Sequence, residues 1–142
     1  MTWSEYFSQY VNYPRSQLIS IAINEADSIM CIVSAVDGGR RSRDILLKVF
    51  SGICLADDNL AREEHQLLNE ITETLLEDYY SYDEFYDVVM SNDRRSARED
   101  VESYFEFDGM REAVVRFTTA VAAIDERISV NEQDIIRYFD SI

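Results

Sequence analysis

Four carboxylates recur at matched positions in this 142-residue chain, and their chemistry is that of hard-cation binding. Ile53 to Leu68 aligns without gaps on Val121 to Ile136, an offset of 68 residues. In each copy an apolar run ends at an Asp (Asp57, Asp125) and a second acid follows (Asp58, Glu126). An aliphatic residue stands three after the first Asp (Leu60, Ile128), a Glu seven after it (Glu64, Glu132), and two aliphatics close the unit. Carboxylate oxygens and helix-end carbonyls are the ligands that Ca²⁺, Mg²⁺ or Mn²⁺ accepts. The candidate metal ligands are therefore Asp57, Glu64, Asp125 and Glu132, with Asp58 and Glu126 as auxiliary acids.

An acid beside a helix C-terminus faces the negative end of the helix dipole and calls for compensation. A bound cation supplies it; so does water, with the Asp side chains hydrogen-bonded to nearby backbone N–H groups. Glu132 also fits a capping box in Ser129-Val130-Asn131-Glu132. Glu64 fits it less well, because Ala61 stands where the reciprocal hydroxyl would be. Other chemistry is thinly represented. His65, the single histidine, has Gln133 as its counterpart in the second copy and reads as a solvated residue. Cys31 and Cys54 lack CxxC spacing and read as reduced core residues. No GxSxG or GxxxxGK pattern is present, so no enzymatic class is indicated.

The elements that must position these acids are helices. Four Gly and one Pro are too few for the turns of a β-sandwich or barrel, and 46% hydrophobic residues suffice for a folded core. Apolar spacing predicts helices over 15–36, from Ser42 to about residue 56, over 62–77, and from Asn92-Asp93 through Val101, Tyr104 and Phe105. Others are expected after Asp108-Gly109, over about 130–140, after Ser81 and over 3–10. The expectation is one all-α domain of about seven to eight helices.

The charge adds to this. Thirteen basic against 28 acidic side chains give a net charge of −15, which excludes binding to nucleic acid by phosphate neutralisation. Residues 1–56 hold five basic and five acidic groups, so the whole excess lies in 57–142. No stretch reads as a membrane span and the first ten residues do not read as a signal peptide, so a cytoplasmic protein is expected. The aromatic and acidic segment 77–107 reads as core or as a surface for a basic partner. Arg40, Arg41 and Arg43 form the basic cluster, read as a solvated loop, an anion site or a contact with another subunit's acidic face.

The twin motif, Ala56-Asp57-Asp58-Asn59-Leu60-Ala61-Arg62-Glu63-Glu64 and Ile124-Asp125-Glu126-Arg127-Ile128-Ser129-Val130-Asn131-Glu132, resembles that of the TerB-like (tellurite-resistance B type) helical domains. The resemblance covers residues 45–142 and leaves 1–44 as an N-terminal helical extension packed on the domain. It implies two pseudo-symmetric helix-turn-helix repeats whose paired acids cluster around a divalent cation. It further implies a role in tellurite or chemical stress in bacteria through protein partners, some membrane-associated. The family commonly has Gly after the motif Asp, where this chain has Asp58 and Glu126. The competing reading is an acidic interaction protein or DNA mimic without a specific metal site.

Overall fold

The computed structural model describes residues 2–54, 62–76, 83, 84, 86, 87, 93–124, 134, 136 and 137, and all of its regular structure there is helical. Six helices are delimited: α1 (Trp3–Tyr10), α2 (Arg15–Asp37), α3 (Gly39–Cys54), α4 (Arg62–Leu76), α5 (Arg94–Glu102) and α6 (Met110–Ile124). Residues 83, 84, 86, 87, 134, 136 and 137 also have helical backbone. The all-α expectation holds.

Helix α2 is the element on which the others are assembled. Leu18, Ala22, Ala26, Ile29 and Val33 form its buried stripe at three- and four-residue spacing. Helices α3, α4 and α6 pack on α2, α1 packs on α6, and α5 packs on α3. The core runs unbroken from Leu18 and Ile29 through Ile45, Leu46 and Phe50 to Leu68, Val114 and Phe117.

Helix α2 is also long and apolar enough, by length and composition, to cross a membrane: 23 residues, with a mean hydropathy of 1.5 over its most apolar window. It is a run that carries acids rather than an uncharged apolar stretch. Glu25 and Asp27 interrupt the sequence run without lowering its average enough, and Glu25 is turned toward Arg116 of α6.

Gly38 reverses the chain between α2 and α3. Its φ of +90° is available to glycine at little cost, and its N–H bonds the Ser34 carbonyl to close α2. Because one residue makes the turn, α3 starts at Gly39, ahead of Ser42, where the sequence spacing begins it. Ser42 lies inside the first turn, buried, with its Oγ donating to the Gly39 carbonyl at 2.7 Å. Asp93 does cap α5, its Oδ1 accepting from Ser96 N at 2.9 Å. That helix ends at Glu102, earlier than the apolar spacing predicts. Tyr104 and Phe105 lie in successive three-residue hydrogen-bonded turns, with Tyr104 N bonding Val101 O and Phe105 N bonding Glu102 O. Gly109, at φ +84°, then leads into α6.

The direction of each helix follows from its neighbours. Gly109, just before α6, faces Ile32, and Arg116 on α6 reaches Glu25, so α6 runs antiparallel to α2. Helix α3 folds back along α2 from Gly38 and is antiparallel to it as well. Helices α3 and α6 are therefore parallel. The Phe50 and Phe117 rings stack between them, with centroids 5.6 Å apart at 27°, and both side chains are fully buried. Phe50→Ala and Phe117→Ala should each cost about 3–5 kcal/mol of unfolding free energy. The double variant should cost less than their sum, because each removes the other's partner. Urea denaturation of the three variants checks both statements.

Candidate functional site

Of the four candidate metal ligands, Asp57, Asp125 and Glu132 lie outside the described residues, together with Asp58 and Glu126. Glu64 stands in the first turn of α4, and its side chain lies outside what is described. The helices that lead to the two acidic segments are described. Cys54 lies four residues beyond Phe50, about 6 Å along α3, and Ile124 lies seven beyond Phe117, about 10 Å along α6. As α3 and α6 are parallel and joined at that ring pair, the chain leaves both helices at the same end of the bundle, away from Gly38. Leu68 and Ile136, equivalent in the repeat, are both fully buried. Among the described residues no group of three or more His, Cys, Asp or Glu side chains is arranged to hold a metal ion.

His65 departs from expectation: it is buried on α4, its Nε2 2.8 Å from Asn69 Nδ2 one turn on. The i, i+4 spacing lets Asn69 meet the ring's polar edge, which makes burial tolerable. Cys31 also departs, being exposed on the outward side of α2. The apolar residues around it in sequence belong to flanking faces of the helix. The Cys54 side chain is outside the described set. Of the aromatic segment, Tyr104 is buried, and Tyr86, Phe105 and Phe107 pack partly buried against the core.

Two polar clasps of one design, absent from the sequence reading, join distant parts of the chain. In the first, Arg116 Nε donates to the Tyr6 hydroxyl at 3.1 Å, and that hydroxyl donates to Glu112 Oε1. Arg116 also lies over the Tyr6 ring, 5.2 Å from its centroid, and reaches Glu112 at 3.0 Å and Glu25 at 3.5 Å. The clasp thus ties α1, α2 and α6 together. In the second, Arg41 Nε donates to the Tyr104 hydroxyl at 3.2 Å, and that hydroxyl donates to Asp37 Oδ2. Arg41 pairs further with Asp44 at 2.6 Å and approaches Asp100 at 3.7 Å, while Lys48 bonds both of those acids. One of the three predicted loop arginines is thereby a bridge between α3 and the segment after α5. Only the Tyr and Arg types carry this signal in the sequence; the pairings span 63 to 110 residues.

The first clasp sets its carboxylates apart. Burial raises the Glu25 pKa above the ordinary value, and the Arg116 charge opposes this without overcoming it. Glu112 is held below the ordinary value by the Tyr6 hydrogen bond and the Arg116 charge. Arg116 is raised, first by its bond to Tyr6. A groove of about 420 Å³ opens between α2 and α6 beside these groups, lined by Glu25, Ser28, Ile32, Gly109, Ala113 and Arg116 among others.

No protein-family model, curated protein or solved structure matches the chain.

The two acids should leave opposite signatures in stability against pH. With its folded pKa raised, Glu25 binds a proton more readily in the folded state, so its contribution improves as pH falls from neutral through that raised value. Glu25→Gln should be more stable than wild type at pH 7, and the advantage should shrink through that window. Glu112, with its pKa lowered, contributes stability at neutral pH that is lost as pH falls through its folded value. Glu112→Gln should be less stable than wild type at pH 7, with the gap closing in acid. Thermal melts from pH 7 to pH 3 read both differences.

Proposed function

We propose that the protein is a non-enzymatic TerB-like binding module in which Asp57, Glu64, Asp125 and Glu132, from two related helix-turn-helix units, hold a divalent cation. Ca²⁺, Mg²⁺ and Mn²⁺ are the candidates, since the ligand set is all hard oxygen. The observation that carries this reading is the parallel course of α3 and α6, joined at Phe50 and Phe117, which brings the described ends of both helices, Cys54 and Ile124, to one end of the bundle. Buried Leu68 and Ile136 at equivalent positions support the repeat itself. Cation binding would tie the two units together and govern access of protein partners, including membrane-associated ones, in a bacterial tellurite or chemical stress response. The reading includes a cytoplasmic location and no direct contact with nucleic acid.

Calorimetric titration of Ca²⁺, Mg²⁺ and Mn²⁺ into metal-free protein at about 0.15 M salt tests it, with diffuse counterion attraction screened. Saturable binding of at least one ion, lost in the Asp57→Asn, Asp125→Asn double variant, is the expected result. Weak, unselective heats in both proteins that higher salt abolishes would sink the metal site and favour an acidic interaction protein.

A further inference from the structure

The opposite end of the bundle, where Gly38 joins α2 to α3, holds a cavity of about 510 Å³. Its walls include Val36, Asp37, Arg41, Tyr104, Glu106 and Phe107. This lining is divided in character. Val36 is 44% exposed, one of two large hydrophobic side chains so exposed among the described residues. The Tyr104 and Phe107 rings stand 6.2 Å apart at 40° and close one wall. Asp37 and Glu106 supply two carboxylates, and neither forms an ion pair among the described residues.

Arg41 is the cation of the lining, yet its charge is spent away from Asp37. Its Nη atoms are directed at Asp44 and Asp100, and its Nε at the Tyr104 hydroxyl. Asp37 receives only the neutral phenol hydrogen bond. It also sits on the last turn of α2, which carries no basic residue and presents the negative end of the helix dipole. An open cavity with two uncompensated carboxylates, a helix C-terminus, aromatic walls and an exposed aliphatic side chain favours a cation with an apolar stem.

We propose that this cavity receives a lysine or arginine side chain of a protein partner. The stem would lie on Val36 and Phe107 while the charged head meets Asp37, Glu106 and the aromatic faces. A bare divalent ion fits less well, because two carboxylates leave most of its oxygen coordination unfilled and Arg41 brings a positive charge to the same lining. The net charge of −15 would draw a basic partner toward the protein before this contact selects its orientation. The site is independent of the cation proposed at the other end of the bundle.

Chemical-shift titration of the ¹⁵N-labelled protein tests this, using a blocked Gly-Arg-Leu-Gly tetrapeptide as probe. The largest shifts should fall on the amides of residues 36–41 and 103–107, and the same peptide with citrulline in place of arginine should leave them in place. Glu106→Lys, a change at an exposed side chain in no ion pair among the described residues, should weaken binding at least about fivefold, while Glu70→Lys, the same charge change on α4, should alter it less than about twofold. Asp37→Asn should also weaken it, and an unchanged amide spectrum elsewhere confirms that each variant is folded. Shifts scattered over the acidic surface, or equal losses from Glu106→Lys and Glu70→Lys, would overturn the proposal. Spermidine acting at the same amides more tightly than the peptide would reassign the cavity to free polyamines.

Discussion

Close approach to α2 is the constraint on which the rest of the molecule depends. Ala22 and Ala26 are completely buried within its core stripe, where larger side chains would hold neighbouring helices farther away. Helices α3 and α6 both pack on α2, and Phe50 and Phe117 meet between them. That meeting brings two helices distant in sequence into parallel alignment. That the C-terminal ends of α3 and α6 share one end of the bundle then follows from helix rise and direction.

Polar groups hold the periphery in register where the apolar core cannot. Tyr6 and Tyr104 are buried phenols, and each is given an arginine donor and a carboxylate acceptor. A buried hydroxyl with both roles satisfied carries little desolvation penalty and fixes the rotation of the element that bears it. Lys48 shows the same balance. Burial lowers its pKa, hydrogen bonds to Asp100 and Asp44 raise it, and the acids win, so the ammonium stays charged between α3 and α5. Such pairings align helices more than they strengthen the fold, since the ions are partly exposed.

The fold class and most helix spans were legible because their signal is local. Apolar periodicity located α2, α4 and α6 to within a residue or two, and Asn92-Asp93 marked the start of α5, where Asp93 bonds a backbone N–H three residues on. Errors arose where a single backbone angle or a distant partner decides. Gly38 at positive φ moved the start of α3 ahead of Ser42, and burial of His65 depends on helices that its own charged sequence neighbours do not reveal. The directions of α3 and α6, which bring their C-terminal ends to one end of the bundle, emerge only on packing. The clasp partners were invisible for the same reason.

The parallel course of α3 and α6 also orders events at the ribosome. Helix α2 and its hairpin partner α3 emerge first, but the groups that cover the other flank of α2, and the arginine that neutralises Glu25, belong to Met110–Ile124. Until that stretch is made, the most apolar helix among those described keeps one side uncovered in the nascent chain. Covering that flank therefore waits for residues made long after α2 itself.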